Sequence, residues 1–160
     1  MQPSMQKNQL SHEETMSLVE KEKVLFLGAS GDDFPYVVPI NYVLLNGKIY
    51  LHCRRAGGRK LDCIRKNPKV CVAIAEAESY RTGETPCQTS TLFKSAIGFG
   101  RARALNHDDP ADRSLMEAVL LKFGEKFVPG LINPTIPPEK LAATGVVEID
   151  VEKWTGKGRG

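Results

Sequence analysis

Histidine, cysteine and a dense run of cations meet two glycines in the stretch YLHCRRAGGRKLDCIRKNP, residues 50–68. Between residues 49 and 69 lie seven cations (Arg54, Arg55, Arg59, Lys60, Arg65, Lys66, Lys69) and one acid, Asp62. Glycine lets backbone approach a ligand closely, and a helix that opens just after it presents unpaired N–H groups and the positive end of its dipole. Together these predict an anion site. Phosphate is its natural guest, because several donors share the charge of one group. The plainer reading is a solvated basic loop. Neither G-x-x-x-x-G-K-[ST] nor G-x-G-x-x-G occurs in the chain, so any phosphate is held outside those two frameworks.

His52 lies in the same stretch, a hydrogen-bonding side chain where the strand enters the basic loop. Cys53, at a strand end, suits a core position as readily as a nucleophile. His12 and His107 are expected at the surface. The four cysteines, Cys53, Cys63, Cys71 and Cys87, form no C-x-x-C pair and do not alternate with histidine at zinc spacing, so reduced thiols and no metal are expected.

The elements that must position these residues are legible in outline. Ser11 and Glu14 form a capping box, predicting a helix to about Glu20, with residues 1–10 as a tail. VLFLGAS (24–30) reads as a strand and GDDFP as a turn. In YVVPINYVLLNGKIYLHC (36–53), Asn46-Gly47 is a two-residue hairpin turn, because both of its residues must take positive φ. The register it sets opposes Val43 to Tyr50 and, extended outward, Asn41 to His52. One face then carries Ile40, Tyr42, Leu44, Ile49, Leu51 and Cys53 as the core face.

Pro68 stops a short helix begun after Gly58, and KVCVAIAEA (69–77) reads as a strand buried on both faces. Residues 79–90 read as a loop. In TLFKSAIGFGRARAL (91–105), Ala96, Gly98, Gly100, Ala102 and Ala104 leave one strand face bare, either for tight packing inside a barrel or for close approach of a flat ring or another chain. Asp109 and Pro110 start a helix that Gly124 is expected to close. VPGLINPTIPP is expected to be an extended connector, and TGVVEIDV (144–151) a last strand leading to Trp154. Six or seven strands and three short helices predict a mainly β fold, an antiparallel barrel with appended helices, in one domain.

Composition bounds the rest. A chain of 160 residues with net charge +3 is ordinary for one domain and does not suggest wholesale nucleic-acid binding; only Tyr50 is placed to stack a base beside the basic run. No apolar run reaches the length of a membrane span, and the N-terminus lacks the apolar core of a secretory signal, so a cytoplasmic location is expected.

Four segments in order, YVVPINYVLLNGKIYLHC, GGRKLDCIRKNPKVCVAI, FKSAIGFGRARAL and WTGK, resemble the pyridoxamine 5′-phosphate oxidase-related split-barrel proteins, and among them the nitroimidazole-resistance (Nim) type of flavin-binding protein. The resemblance spans roughly residues 16–157. It implies a split β-barrel homodimer with FMN at the interface. It also implies Val38, Pro39, Ile40 and Asn41 along the flavin ring, and His52 and Cys53 beside the ring or ribityl chain, with His52 either a proton donor, since histidine titrates near neutral pH, or a residue that only orients Asn41 or the cofactor. Arg59, Lys60 and the Leu61 N–H would hold the phosphate, Ser95 and Ile97 would close the site, and Trp154 and Lys157 would cover it. The function it implies is an FMN-dependent oxidoreductase reducing small acceptors such as nitroaromatics, quinones or free flavin. A flavin carrier without turnover, a haem-handling barrel and a deazaflavin enzyme are the alternatives. Pyridoxamine oxidase activity itself is not expected, because the further basic residues of those enzymes do not map onto this chain.

Overall fold

The computed structural model describes residues 7–130 and 135–159. Its elements are α1 (His12–Lys21), β1 (Val24–Ala29), β2 (Tyr36–Asn41), β3 (Val43–Leu45), β4 (Lys48–Arg54), α2 (Arg59–Lys66), β5 (Lys69–Arg81), β6 (Ser90–Ala104), α3 (Pro110–Phe127), α4 (Pro138–Ala143) and β7 (Thr144–Arg159), with a 3-10 turn at Pro86–Gln88. One antiparallel sheet runs in the order β2-β1-β5-β6-β7-β4-β3 and coils into a half-barrel, the split-barrel class expected from the sequence.

Local chemistry accounts for the elements read correctly. The Ser11 hydroxyl accepts from the Glu14 N–H at 3.1 Å, and the Glu14 carboxylate accepts from the Ser11 N–H at 2.8 Å, so the capping box is complete. Asn46 and Gly47 take φ of 51° and 76°, and Val43, Leu44 and Leu45 pair with Tyr50, Ile49 and Lys48. Asp109 caps α3 by accepting from Ala111 N and Asp112 N.

Several expectations are corrected. The β3–β4 register does not extend to Asn41 and His52. The chain leaves β4 at Tyr42, and Asn41 pairs with Val24 of β1 while His52 pairs with Val146 of β7. α3 runs through Gly124 to Phe127, because Phe127 stacks on Phe123 at 5.6 Å and anchors one more turn. β5 extends to Arg81 and β6 begins at Ser90, so the expected loop 79–90 narrows to residues 82–89, which hold the 3-10 turn. The last strand does not end at residue 151: β7 continues through Trp154, paired with β6 as far as Arg159. A fourth helix, α4, follows the prolines. Residues 131–134 of the expected connector, and 1–6 of the expected tail, lie outside the described residues; Asn8 and Leu10 bond to Gly158 and Gly156 of β7.

Two cores form on opposite faces of the sheet. The larger is built on Leu25, Leu27, Tyr42, Ile49, Leu51, Val72, Ile74 and Ala96, with α1 and α2 packed over it. The bare strip of β6 faces this core. A Cβ on Gly98 would lie 2.9 Å from each of Trp154 Cζ3, Val151 Cγ1 and Val72 Cγ2, so the missing side chains make room for tryptophan rather than for a bound ring. The smaller core sits under α3 and includes Val43, Tyr50, Met116, Val119, Phe123 and Val146. Beside it, Arg103 reaches Asp112 through Nη1 and Nη2 at 2.9 and 3.0 Å and Glu148 through Nε at 2.9 Å, tying the start of α3 to β6 and β7.

The outward face of β2, β1, β5 and β6 carries Phe26, Val37, Ile97 and Phe99, with Val37 61% and Phe99 51% exposed. β5 is therefore not buried on both faces within one chain: Val70, Val72 and Ile74 are buried, Cys71 and Ala73 only half-buried. Among the described residues, no helix is long and apolar enough to cross a membrane.

Candidate functional site

α2 opens the way its sequence demands. Gly57 and Gly58 adopt φ of 104° and 138°, values that side chains rarely allow, and Gly58, as N-cap, offers no side-chain acceptor to the helix. The first bond into the helix runs from Asp62 N to Gly58 O at 3.2 Å, leaving the N–H groups of Arg59, Lys60 and Leu61 without partners inside the helix.

The cations around this terminus divide into two groups. Arg65 pairs with Asp62 at 3.2 Å and Lys66 with Asp32 at 2.5 Å. Among the described residues, Arg59 and Lys60 have no carboxylate partner. Lys60 is half-buried, and burial pushes its ammonium below the ordinary lysine range, with Cys53 acting in the opposite direction. A half-buried ammonium beside three free N–H groups is a constellation that an anion completes.

Lys60 also links the two residues that precede the loop. Burial, and then the Lys60 charge, hold His52 below the ordinary histidine value. Burial raises the Cys53 thiol, and Lys60 and Arg65 partly offset that. The His52 ring meets Phe123 of α3 edge to face, centroids 4.4 Å apart and planes at 85°. Beside α2 opens a cleft of about 470 Å³, lined by Asp32, Asp33, Arg59, Asp62, Arg65 and Lys66 with Cys63. A second, of about 570 Å³, runs from the β1–β2 connection onto the outward face at Val37, Cys71 and Phe99.

The structure thus brings His52, Cys53, Lys60 and, at the helix start, Arg59 and Leu61 to one end of the barrel. The other sequence candidates lie elsewhere. Asn41 donates to Lys23 O at 3.3 Å and does not meet His52. Val38 and Ile40 pack against the larger core, while Pro39 faces outward. Ser95, Ile97 and Lys157 share the outward face: Ser95 donates to Lys157 O at 3.3 Å, and the Lys157 ammonium lies 6.0 Å from the Phe93 ring. Ala102 of β6 bonds to Pro68 just after α2, and Ser95 lies seven residues away along the strand, about 23 Å. Lys157, paired with Ser95 across β6 and β7, lies equally far along the sheet from the Pro68 contact. Trp154, half-buried, packs against the larger core over Gly98.

Three features were missed in the sequence: the Tyr36 ring beneath Arg59 at 5.7 Å, the Phe123 ring against His52, and the outward apolar face. The last had a signal. Val24 and Phe26 occupy the alternate positions of a strand whose Leu25 and Leu27 are already core, which marks a strand covered on both sides. Among the described residues, no group of three His, Cys, Asp or Glu is placed to hold a metal ion.

A family model described as pyridoxamine 5′-phosphate oxidase matches residues 11–158. Three solved structures are similar in fold. The flavocytochrome Anf3 of Azotobacter vinelandii superposes with a TM-score of 0.84 at 17% identity, over 100% of this chain and 72% of that one. A candidate 5-nitroimidazole antibiotic resistance protein of Bacteroides thetaiotaomicron gives 0.77 at 20%, over 93% and 85%. An FAD-binding protein of Mesorhizobium loti gives 0.67 at 24%, over 95% and 97%.

Proposed function

The chain belongs to the pyridoxamine 5′-phosphate oxidase family, and from that premise we propose that it is an FMN-binding oxidoreductase reducing small acceptors such as nitroaromatics, quinones or free flavin. The observation that carries the reading is the start of α2. Arg59 and Lys60, unmatched by carboxylates among the described residues, flank three backbone N–H groups that the glycine turn leaves free. A phosphate monoester suits that set, with two charges met by two cations. The similar structures add weight: one is named for FAD binding and one as a flavocytochrome.

When bound, FMN supplies the two-electron chemistry that none of this chain's side chains provides. The chain's residues bind and orient. Arg59, Lys60 and the Leu61 N–H hold the phosphate. His52, pinned against Phe123 and held below the ordinary histidine value by partial burial and the Lys60 charge, exchanges a proton between water and the bound ligand. Cys53, its thiol raised by burial, stays protonated and fills space.

The rest of the site comes from a second copy. Ser95, about 23 Å along β6 from the Ala102 that bonds to Pro68, lies with Ile97 and Lys157 on the apolar outward face that a two-fold partner would cover. In this reading FMN lies between two protomers, in two equivalent sites.

The test is a visible absorption spectrum of the purified protein, taken before and after adding FMN and desalting, with size-exclusion chromatography alongside. A retained flavin band with altered vibrational structure on a dimer supports the reading. A colourless protein that releases FMN to the column refutes it, a sharp Soret band assigns the barrel to haem, and a monomer that holds FMN refutes the shared site.

A further inference from the structure

We propose that Tyr36 is a positioning residue for the phosphate clamp: its ring, and the β1–β2 connection that carries it, fix the Arg59 guanidinium where the phosphate arrives. The inference rests on the phosphate reading above and adds what makes that site selective for a phosphorylated ligand.

Nothing within α2 holds Arg59. It is the first helical residue after two glycines, it is exposed, and among the described residues it has no salt-bridge partner. Its guanidinium carbon instead lies 5.7 Å from the centroid of the Tyr36 ring, at the start of β2. Its Nη2 lies close enough to Gly31 that a Cβ there would be 3.5 Å away. A flat guanidinium over an aromatic face keeps its outward N–H edge free for an anion, whereas a carboxylate partner would consume that edge.

The connection is itself fastened to the far end of the same helix. The Lys66 ammonium reaches Asp32 at 2.5 Å, and Asn67 Nδ2 donates to the Ser30 hydroxyl at 3.2 Å. The segment from Ser30 to Tyr36 is therefore tied to the end of α2 and just beyond it through Lys66 and Asn67, and lies under Arg59 at its beginning. Pre-ordering a long side chain in this way removes part of the rotamer entropy that binding would otherwise cost.

The experiment compares Kd for FMN and for riboflavin, which carries the same ring without the phosphate, in the wild type, Tyr36→Leu, Tyr36→Phe and Arg59→Ala. Wild type prefers FMN. Tyr36→Leu raises the FMN Kd about threefold to thirtyfold, the range of a partly desolvated cation–π pair, and leaves riboflavin unchanged. Tyr36→Phe, which keeps the ring, restores FMN binding to within about twofold. In the Arg59→Ala background, Tyr36→Leu has no further effect. If Tyr36→Leu disrupts the edge strand, Tyr36→Thr, a β-branched substitute, gives the same comparison. Equal losses for FMN and riboflavin, or an undiminished FMN preference in both truncations, overturn the assignment. A wild type that binds riboflavin as tightly as FMN overturns the phosphate reading instead, and the two failures are separate observations.

Discussion

Replacing Arg103 with methionine tests whether the buried carboxylates anchor α3, the helix that holds His52 through Phe123. Asp112 and Glu148 are 8% and 7% exposed, and Arg103 serves both through three bonds of 2.9–3.0 Å. Three charge-assisted bonds at about 1.5–3 kcal/mol each set an upper limit. The true loss is smaller for two reasons. The Arg103 side chain is 51% exposed and screened by water, and the carboxylates keep other donors: Lys48 at 3.1 Å and Tyr50 at 2.9 Å on Glu148, Asn106 N at 2.8 Å on Asp112. We expect about 2–4 kcal/mol at pH 7, read by denaturant unfolding at one fixed chain concentration. The pH dependence has a definite sign. The Arg103 bonds hold Asp112 below the ordinary carboxylate range against burial. Burial pushes Glu148 up, but bonds from Arg103, Lys48 and Tyr50 outweigh it and leave the group lowered. Lowered carboxylates contribute stability above their unfolded pKa of about 4 and lose it as pH falls through the folded value. The deficit of Arg103→Met is thus full at pH 7 and shrinks below about pH 4, where the wild type loses the same bonds. A deficit under about 1 kcal/mol, or one equal at pH 7 and pH 3, refutes this account of how α3 is held.

Three further outcomes follow from the same geometry. Gly98→Val forces a side chain into the space of Trp154, Val151 and Val72 and costs about 1–3 kcal/mol by thermal or denaturant unfolding; an unchanged midpoint would mean that the bare strip is not filled from within. In NMR titrations His52 loses its proton below the ordinary histidine value, and both Phe123→Leu and Lys60→Gln move it upward; a titration at or above the ordinary value in the wild type contradicts the burial described here. Phe26→Glu together with Phe99→Glu puts charge on the exposed apolar face and gives a monomer in light scattering at micromolar concentration, while a persistent dimer means that the partner sits elsewhere.

Local rules carried the sequence reading wherever the determinant was local. The Asn46-Gly47 turn, the Ser11/Glu14 box and the Asp109-Pro110 start each depend on a few adjacent residues, and each formed. The cationic helix start at Arg59 and Lys60 was legible for the same reason, since glycine, helix start and cations are contiguous. The errors are non-local. The hairpin register ended at Tyr42 because β2 answers to β1, and no feature of YVVPINYVLL says where one partner gives way to the other. Gly124 reads as a helix stop until Phe127 is known to have Phe123 to stack on. The last strand reads as ending at residue 151 because the glycines of WTGKGRG weaken a strand. In the fold Gly156 and Gly158 lie beneath Thr15 and Leu10, where the N-terminal segment crosses β7. Tyr36 and Phe123, far along the chain from Arg59 and His52, were beyond any spacing argument.

Calorimetric titration of FMN and riboflavin into the wild type and into Arg59→Ala/Lys60→Ala tests the phosphate clamp most directly. The account predicts that the double variant loses on the order of 3 kcal/mol or more of FMN affinity, at least about 150-fold, and keeps its riboflavin affinity. FMN binding that survives undiminished, or that falls in step with riboflavin, would contradict it.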